Sequence, residues 1–171
     1  MPLAQRIERL RRTCGEFAAA IAGFDDGALS RRAPDGWSAK EIVCHMRDIE
    51  ELCIIRYHTI LVVDDLKVFV AGAPPKDAEA WGIREGVPFP LSPERWAEDR
   101  QYLRSDTAEA LAAFRRRRGE VLTFLDALTP EQWQRTSIHP EHGRITIEDW
   151  TPGVAGHDDN HLEQLRRALD A

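Results

Sequence analysis

Apolar residues recur at spacings of three and four along most of this chain, which predicts helices that each bury one face. The first helix is predicted from about Pro2 to Ala22, and Gly23 ends it. Its apolar stripe consists of Ile7, Leu10, Cys14, Phe17, Ala18 and Ile21. The alternating pattern of a β-strand survives nowhere in the sequence, so the predicted fold class is all-α.

A capping box marks the start of the second helix. Ser38 is the predicted N-cap, Glu41 follows three residues later, and Trp37 precedes the cap as a hydrophobic staple. The helix is expected to fade over residues 63–70. The positions that share its apolar face are Ile42, His45, Met46, Ile49, Leu52, Cys53, Ile60 and Val63. The sequence therefore predicts that His45 points into the core.

Residues 71–92 are rich in glycine and proline and form a long crossover loop between helices 2 and 3. Unstructured connections of this length are uncommon in compact domains and are often lids or binding loops. A passive crossover between distant helix ends is the alternative interpretation, and the sequence leaves both open.

Two further main helices are predicted in the second half of the chain. One helix or helix pair covers residues 92–128, and a break is allowed near Asp106, which begins its own capping pattern. The last helix begins at Thr146, and Pro152 is expected to kink or restart it because proline lacks a backbone donor. Residues 1–171 are therefore predicted to form a single domain, a four-helix bundle.

Composition places the chain among ordinary globular proteins and narrows its partners. The 171 residues are 43% hydrophobic, and a net charge of −6 argues against a nucleic-acid binder. The basic run at 115–118 is interpreted as a solvated helix face, with an anion or partner patch as the alternative. The three cysteines have no motif spacing, which predicts free thiols. The N-terminus is charged and no apolar run is long enough to span a membrane, so we expect a cytoplasmic protein without a membrane partner.

Three of the six histidines fall on predicted core faces. His157 and His161 stand four residues apart, which places them one turn apart on the same helix face, and His45 belongs to a different helix. Burying three imidazoles without partners for their nitrogens is costly, and a shared cation would supply those partners. Three separately hydrogen-bonded core histidines are the alternative. The remaining histidines, which fall on exposed faces or in turns, are His58, His139 and His142.

Three neutral nitrogen ligands leave coordination positions open, so a bound cation could activate water or polarise a substrate. Zinc and nickel both suit imidazole, and the sequence does not choose between these divalent ions. Asp48, one turn after His45, is the candidate catalytic residue, either as acceptor of the free imidazole N–H or as proton acceptor. A surface aspartate is the alternative. Gln164 is expected to pack near His161 or to hydrogen-bond it, and Asp158 is too short for the glutamate of a zinc protease motif.

The chain resembles the DinB-like family across its length. The similar segments, in the order in which they occur, are Trp37-Ser38, Glu41, His45-Met46-Arg47-Asp48, His139-Pro140, Gly143, Thr146, His157-Asp158, His161-Leu162 and Gln164. The resemblance implies a four-helix bundle, often dimeric, that binds a divalent metal through three histidines. The positions here that match those histidines are His45, His157 and His161.

Some members of that family are transferases that attach bacillithiol to electrophiles, or mycothiol-dependent isomerases. The resemblance therefore implies a metal-dependent enzyme, of the thiol S-transferase or hydrolase type, in bacterial stress or detoxification chemistry. The expected partners are a small-molecule substrate, a low-molecular-weight thiol and a second copy of the chain in a homodimer. A non-catalytic, metal-stabilised interaction module is the alternative function.

Overall fold

The computed structural model describes residues 2–33, 36–71, 73–84 and 91–170. The four long helices are α1 (Leu3–Ile21), α3 (Ala39–Val62), α5 (Thr107–Asp126) and α7 (Ile147–Leu169). α1 packs against α5 and α7, and α3 packs against the same two helices from the other side. The predicted four-helix bundle is therefore confirmed. None of the described helices has both the length and the hydropathy needed to cross a lipid bilayer.

Short elements connect the long helices. Three short helices are α2 (Asp26–Ser30), α4 (Pro93–Asp99) and α6 (Pro130–Trp133), and single 3-10 turns cover Glu79–Trp81 and Tyr102–Arg104. The predicted break near Asp106 is confirmed, because its carboxylate accepts a hydrogen bond from the backbone of Glu109 at 2.8 Å and caps α5.

A small sheet corrects the expectation that the chain contains no strands. Its strands are β1 (Leu66–Lys67), β2 (Thr136–His139) and β3 (Gly143–Thr146). β2 pairs antiparallel with β3 and parallel with β1. The all-α class still describes the fold, since these strands have only two to four residues. Runs of that length are too short for an alternating pattern to stand out in the sequence.

The capping box predicted at Ser38 and Glu41 is present. Ser38 Oγ accepts from the backbone of Glu41 at 3.2 Å, while Glu41 accepts from the Ser38 backbone at 2.9 Å. Thr146 and Asp149 form the same reciprocal pair at the start of α7. The two caps fix where α3 and α7 begin, and therefore fix the heights of His45 and His157 along the bundle.

Pro152 lies inside α7 and does not restart it, since the helix is continuous from Ile147 to Leu169. Proline leaves the carbonyl of Glu148 without its usual helical donor. In this chain that carbonyl accepts from the Thr151 hydroxyl at 2.8 Å and from the Arg6 guanidinium at 3.1 Å. These replacement donors explain how the helix tolerates the proline.

Arg118 corrects the interpretation of the basic run as one solvated face. Its side chain is 2% exposed, whereas Arg115 and Arg116 are exposed. Arg118 donates to Glu50 on α3 and Asp158 on α7 at distances of 2.6–3.0 Å. It also donates to the backbone of Leu10 on α1 at 3.0 Å. One buried guanidinium therefore joins all four long helices.

The crossover loop is described only in part. Residues 72 and 85–90 lie outside the described residues, so the lid interpretation of residues 71–92 stays a prediction. In the described portion, Trp81 packs against Phe69 with ring centroids 5.7 Å apart. Gly82 follows at a φ of 72°, a left-handed conformation that glycine adopts without strain.

Candidate metal centre

α3 and α7 bring His45, His157 and His161 together. One ring nitrogen from each of the three lies within 4.8 Å of the others. The Nε2 atoms of His45 and His157 are 3.1 Å apart. Two nitrogens bound to one tetrahedral zinc at about 2.0–2.1 Å would be separated by about 3.3 Å, so only a small adjustment is needed to share an ion.

Burial keeps these imidazoles neutral. Burial, together with the neighbouring His161 and His157, lowers the pKa of His45 to about 2. Burial and the proximity of His161 lower the pKa of His157 to about 4, and burial also lowers the pKa of His161. At neutral pH the three rings therefore need not lose a proton before binding a cation.

Gln164 fixes the tautomer of His161. Its Oε1 is 2.8 Å from Nδ1 of His161, so Nδ1 carries the proton and Nε2 presents its lone pair. This contact is one of the two roles predicted for Gln164. Nδ1 of His45 and of His157 is buried without a partner in the described parts of the chain, and the Nε2 atoms of the two rings face each other at 3.1 Å. The donor set fits a divalent ion that prefers imidazole, such as zinc or nickel.

The histidines form part of the wall of a cavity of about 990 Å³ between α3 and α7, here called the α3–α7 cavity. Its volume is near the upper end of the range of about 300–1,000 Å³ that small-molecule sites occupy. The apolar residues on its walls include Ile49, Leu52, Cys53, Ile145, Trp150, Val154 and Trp96. The candidate metal centre therefore faces a space where a small molecule can bind.

Trp37 covers the histidines as well as preceding the α3 cap. Its ring centroid lies 5.0 Å from that of His45 and 6.4 Å from that of His161, stacked on the latter. The sequence pattern predicted only the staple position of Trp37, because the contact with His161 depends on how α7 packs. The indole limits the mobility of both rings and shields them from water.

A sequence model described as the DinB superfamily matches residues 9–165. The chain belongs to the DinB superfamily. Its structure is similar to that of YfiT from Bacillus subtilis, described as a probable metal-dependent hydrolase with an unusual four-helix bundle topology. The TM-score is 0.76 at 21% sequence identity, and the match covers 98% of this chain and 87% of that one. No curated protein matches the chain significantly.

Asp48 of this DinB superfamily protein is neither hydrogen-bonded to His45 nor exposed on the helix surface, the two environments predicted for it. It is buried, so it is not a surface aspartate, and no described contact joins it to Nδ1 of His45. Its carboxylate accepts from Tyr102 at 2.8 Å and from Arg47 at 2.7 Å. Asp48 is also absent from the described lining of the α3–α7 cavity. The predicted hydrogen bond to His45 is wrong, and the catalytic role of Asp48 stays a prediction.

His139 is buried, although the sequence analysis placed it in a turn. It ends β2, and its Nδ1 accepts from the backbones of Glu141 and His142 at 3.1 and 3.2 Å. The rings of His139 and His142 both line the cavity. Glu141, His139 and His142 also form a second group with the spacing of metal ligands. The predicted exposure of His58 is confirmed.

Sequence reasoning missed Arg56 altogether. It lies on the same face of α3 as His45, and its guanidinium carbon is 4.6 Å from the centroid of the Trp150 ring in the cavity wall. The helical spacing that grouped His45 with Ile49 and Cys53 extends to Arg56, so that periodicity was the available signal. A charged residue does not extend an apolar stripe, so the pattern of apolar positions alone does not include Arg56.

Proposed function

We propose that this DinB superfamily protein is a divalent-metal-dependent enzyme that acts on a small molecule in the α3–α7 cavity. His45, His157 and His161 would hold zinc or nickel. The observation that carries the proposal is the position of three neutral imidazoles in the wall of a largely apolar cavity of small-molecule size. The probable metal dependence of YfiT supports the same conclusion.

The donor set favours catalysis over a purely structural ion. Among the described residues, the group at this site contains three ligands and no fourth cysteine, histidine or carboxylate. Structural zinc sites are usually closed by four protein ligands, and catalytic ones keep an open position. A divalent ion bound here would lower the pKa of a coordinated thiol or water and polarise a substrate atom.

Side chains around the centre orient the histidine ligands and exclude water from them. Gln164 holds the ring of His161 in one tautomer, and Trp37 packs over two of the three rings. The apolar walls of the cavity lower the local dielectric and hold the substrate next to the histidines. We assign Asp48 no proton transfer, because its carboxylate is engaged by Tyr102 and arginine donors and lies off the cavity wall.

Two reaction classes fit this centre. In thiol S-transfer, the sulfur of a low-molecular-weight thiol attacks an electrophilic carbon, the leaving group departs with its electron pair, and the thiol proton passes to solvent. In hydrolysis, water takes the place of the thiol. We favour S-transfer because of the family resemblance, which would give the protein a detoxification role in a bacterial cytoplasm. Hydrolysis is the alternative, supported by the description of YfiT.

The experiment combines metal analysis with a paired activity screen. Protein purified without a histidine tag is analysed for bound metal, then assayed for thiol conjugation and for ester and amide hydrolysis. We expect about one divalent ion per chain and at least a hundredfold loss of turnover in His161→Ala. His58→Ala is the matched control, since His58 is exposed on the same helix as His45.

Equal turnover by wild type and His161→Ala would contradict an enzyme that works through this centre. A bound ion with no turnover in any assay would instead favour the non-catalytic module. The metal site itself would be contradicted if the wild type contained no metal as purified and could not be fully loaded with zinc or with nickel afterwards.

A further inference from the structure

One end of the α3–α7 cavity carries the guanidinium of Arg56 and lies away from His45, His157 and His161. Arg56 follows His45 by eleven residues on the cavity face of α3. At about 1.5 Å per helical residue, this places the two backbone positions roughly 16 Å apart. Ile49, Leu52 and Cys53 line the cavity between them. A mostly apolar stretch of the cavity wall therefore separates the candidate metal centre from a guanidinium.

The guanidinium of Arg56 lacks a counter-ion in the described ranges. It lies over the Trp150 ring and donates one hydrogen bond, to the backbone oxygen of Phe69 at 3.1 Å. No salt bridge to it occurs in the part of the chain that the structure describes, whereas the buried Arg118 has two carboxylates. A guanidinium carries five N–H donors. Most of the donors of Arg56 are thus available to a molecule in the cavity.

The other charged groups of the cavity wall form no salt bridge with Arg56 in the part of the chain that the structure describes. Asp149 lines the cavity, but its carboxylate accepts from the backbone and hydroxyl of Thr146 at 2.9 and 2.7 Å. His139 and His142 also line this end, and Arg56 is close enough to His139 to help lower its pKa, after burial and His142. Glu94 also lines the cavity, but among the described residues neither it nor Asp149 pairs with Arg56, so the free N–H donors of Arg56 can bind an anionic group of a ligand.

We propose that Arg56, packed on Trp150, binds a carboxylate of the substrate. The substrate would then be an elongated small molecule with a carboxylate at one end, an apolar middle and a reactive sulfur or oxygen at the other. The placement of the reactive atom of the substrate next to His45, His157 and His161 rests on the proposed function. The planar fork of arginine pairs with a carboxylate through two parallel hydrogen bonds. A single guanidinium balances one negative charge, which favours a carboxylate over a doubly charged phosphate monoester.

The first arm of the test uses ligands without a thiol. Binding of octanoate, octanol and octyl phosphate to the full chain as purified is measured by isothermal titration calorimetry. We expect octanoate to bind at least tenfold more tightly than octanol and more tightly than octyl phosphate. The preference should disappear in Arg56→Gln, survive in part in Arg56→Lys, and persist in Arg116→Gln, which changes an exposed arginine on α5.

The same preference should persist in His161→Ala, because the anion binds Arg56 and not the metal. Equal binding of octanoate and octanol by the wild type, no binding of either, or an unchanged preference in Arg56→Gln would overturn the carboxylate site. Tighter binding of octyl phosphate would also overturn it, in favour of a phosphate ligand. Circular dichroism of each variant verifies that it is folded.

The second arm separates this inference from the proposed function. Cobalt-loaded protein is titrated with ω-mercapto-octanoate and ω-mercapto-octanol while the thiolate-to-cobalt absorption band is recorded. We expect both thiols to produce the band. The wild type should bind ω-mercapto-octanoate more tightly than ω-mercapto-octanol, and Arg56→Gln should bind the two thiols equally. Equal affinities with a clear band would overturn the Arg56 site and leave thiol binding intact. A carboxylate preference in the first arm without any band would support the Arg56 site and count against thiol activation.

Discussion

The carboxylate of Asp48 joins four different side chains behind the candidate metal centre. Arg47 precedes it on α3, Arg100 and Tyr102 come from the segment after α4, and Arg117 comes from α5. Burial alone would raise the pKa of Asp48. Hydrogen bonds from Arg47 and Tyr102, together with the arginine charges, outweigh burial and lower it. At the residue scale, Asp48 therefore stabilises the helix that carries His45.

Replacing Asp48 by asparagine tests this role. At neutral pH we expect Asp48→Asn to reduce the free energy of unfolding by about 2 kcal/mol, because charge-assisted hydrogen bonds are lost. A lowered pKa means that the stabilisation is complete well above the ordinary value of 3.8 and is lost as pH falls through the folded-state value. The difference between wild type and variant in urea unfolding should thus shrink on acidification below about pH 4.

Asp64→Asn is the control, since that aspartate is 86% exposed in its contact with Arg135. It should change stability little at any pH. A wild-type free energy of unfolding in Asp48→Asn, combined with a large loss of turnover, would contradict the structural role and restore the catalytic one predicted from the sequence.

At the scale of elements, Arg118 is the contact that fixes how the four long helices pack. It binds Glu50 and Asp158 inside the bundle, and Asp158 also accepts from Thr13 on α1 at 2.6 Å. Asp158 adjoins His157, so the same contact sets the rotation of α7 about its axis. Any change that releases Asp158 should disturb the packing around the histidine pair.

Replacing Arg118 by methionine should cost about 3–5 kcal/mol of stability, because two buried carboxylates lose their cation. Urea unfolding monitored by circular dichroism measures this loss. Arg116→Met is the matched control on the exposed side of α5 and should lie within about 0.5 kcal/mol of wild type. A loss below about 1 kcal/mol in Arg118→Met would show that the carboxylates find other partners and that this contact does not hold the bundle together.

Capping patterns at Ser38 and Thr146 predicted where α3 and α7 begin. The periodic pattern of apolar residues was enough to predict the bundle and the faces that carry His45, His157 and His161, but not the burial of His139. It failed where a polar side chain is buried through a partner distant in sequence. Nothing near Arg118 distinguishes it from its exposed neighbours, and three of the four partners of Asp48 lie more than fifty residues away in the sequence. Such contacts depend on tertiary packing, which local periodicity does not contain.

At the scale of the whole molecule, the core of the bundle is built from apolar residues that are not candidate metal ligands. Two apolar clusters fill it, one around Phe17, Phe114 and Met46 and the other around Tyr57, Ile60 and Trp150. The second cluster shares Trp150 with the α3–α7 cavity, so ligand binding there and packing of the bundle involve the same side chain. The homodimer inferred from the family resemblance stays a prediction.

Metal removal should therefore lower the thermal stability of the protein without unfolding it at room temperature. An ion present at a hundred times its dissociation constant stabilises a folded protein by about 2.7 kcal/mol. For a chain of this size that corresponds to a fall in Tm of about 5–10 °C on chelation. Thermal melts followed by circular dichroism, with and without a chelator, measure the shift, and readdition of the ion should reverse it. His161→Ala should melt near the chelated wild type and respond little to chelator, whereas His58→Ala should behave as wild type. Loss of helical signal at room temperature on chelation would contradict an independent core and favour an ion that holds the bundle together.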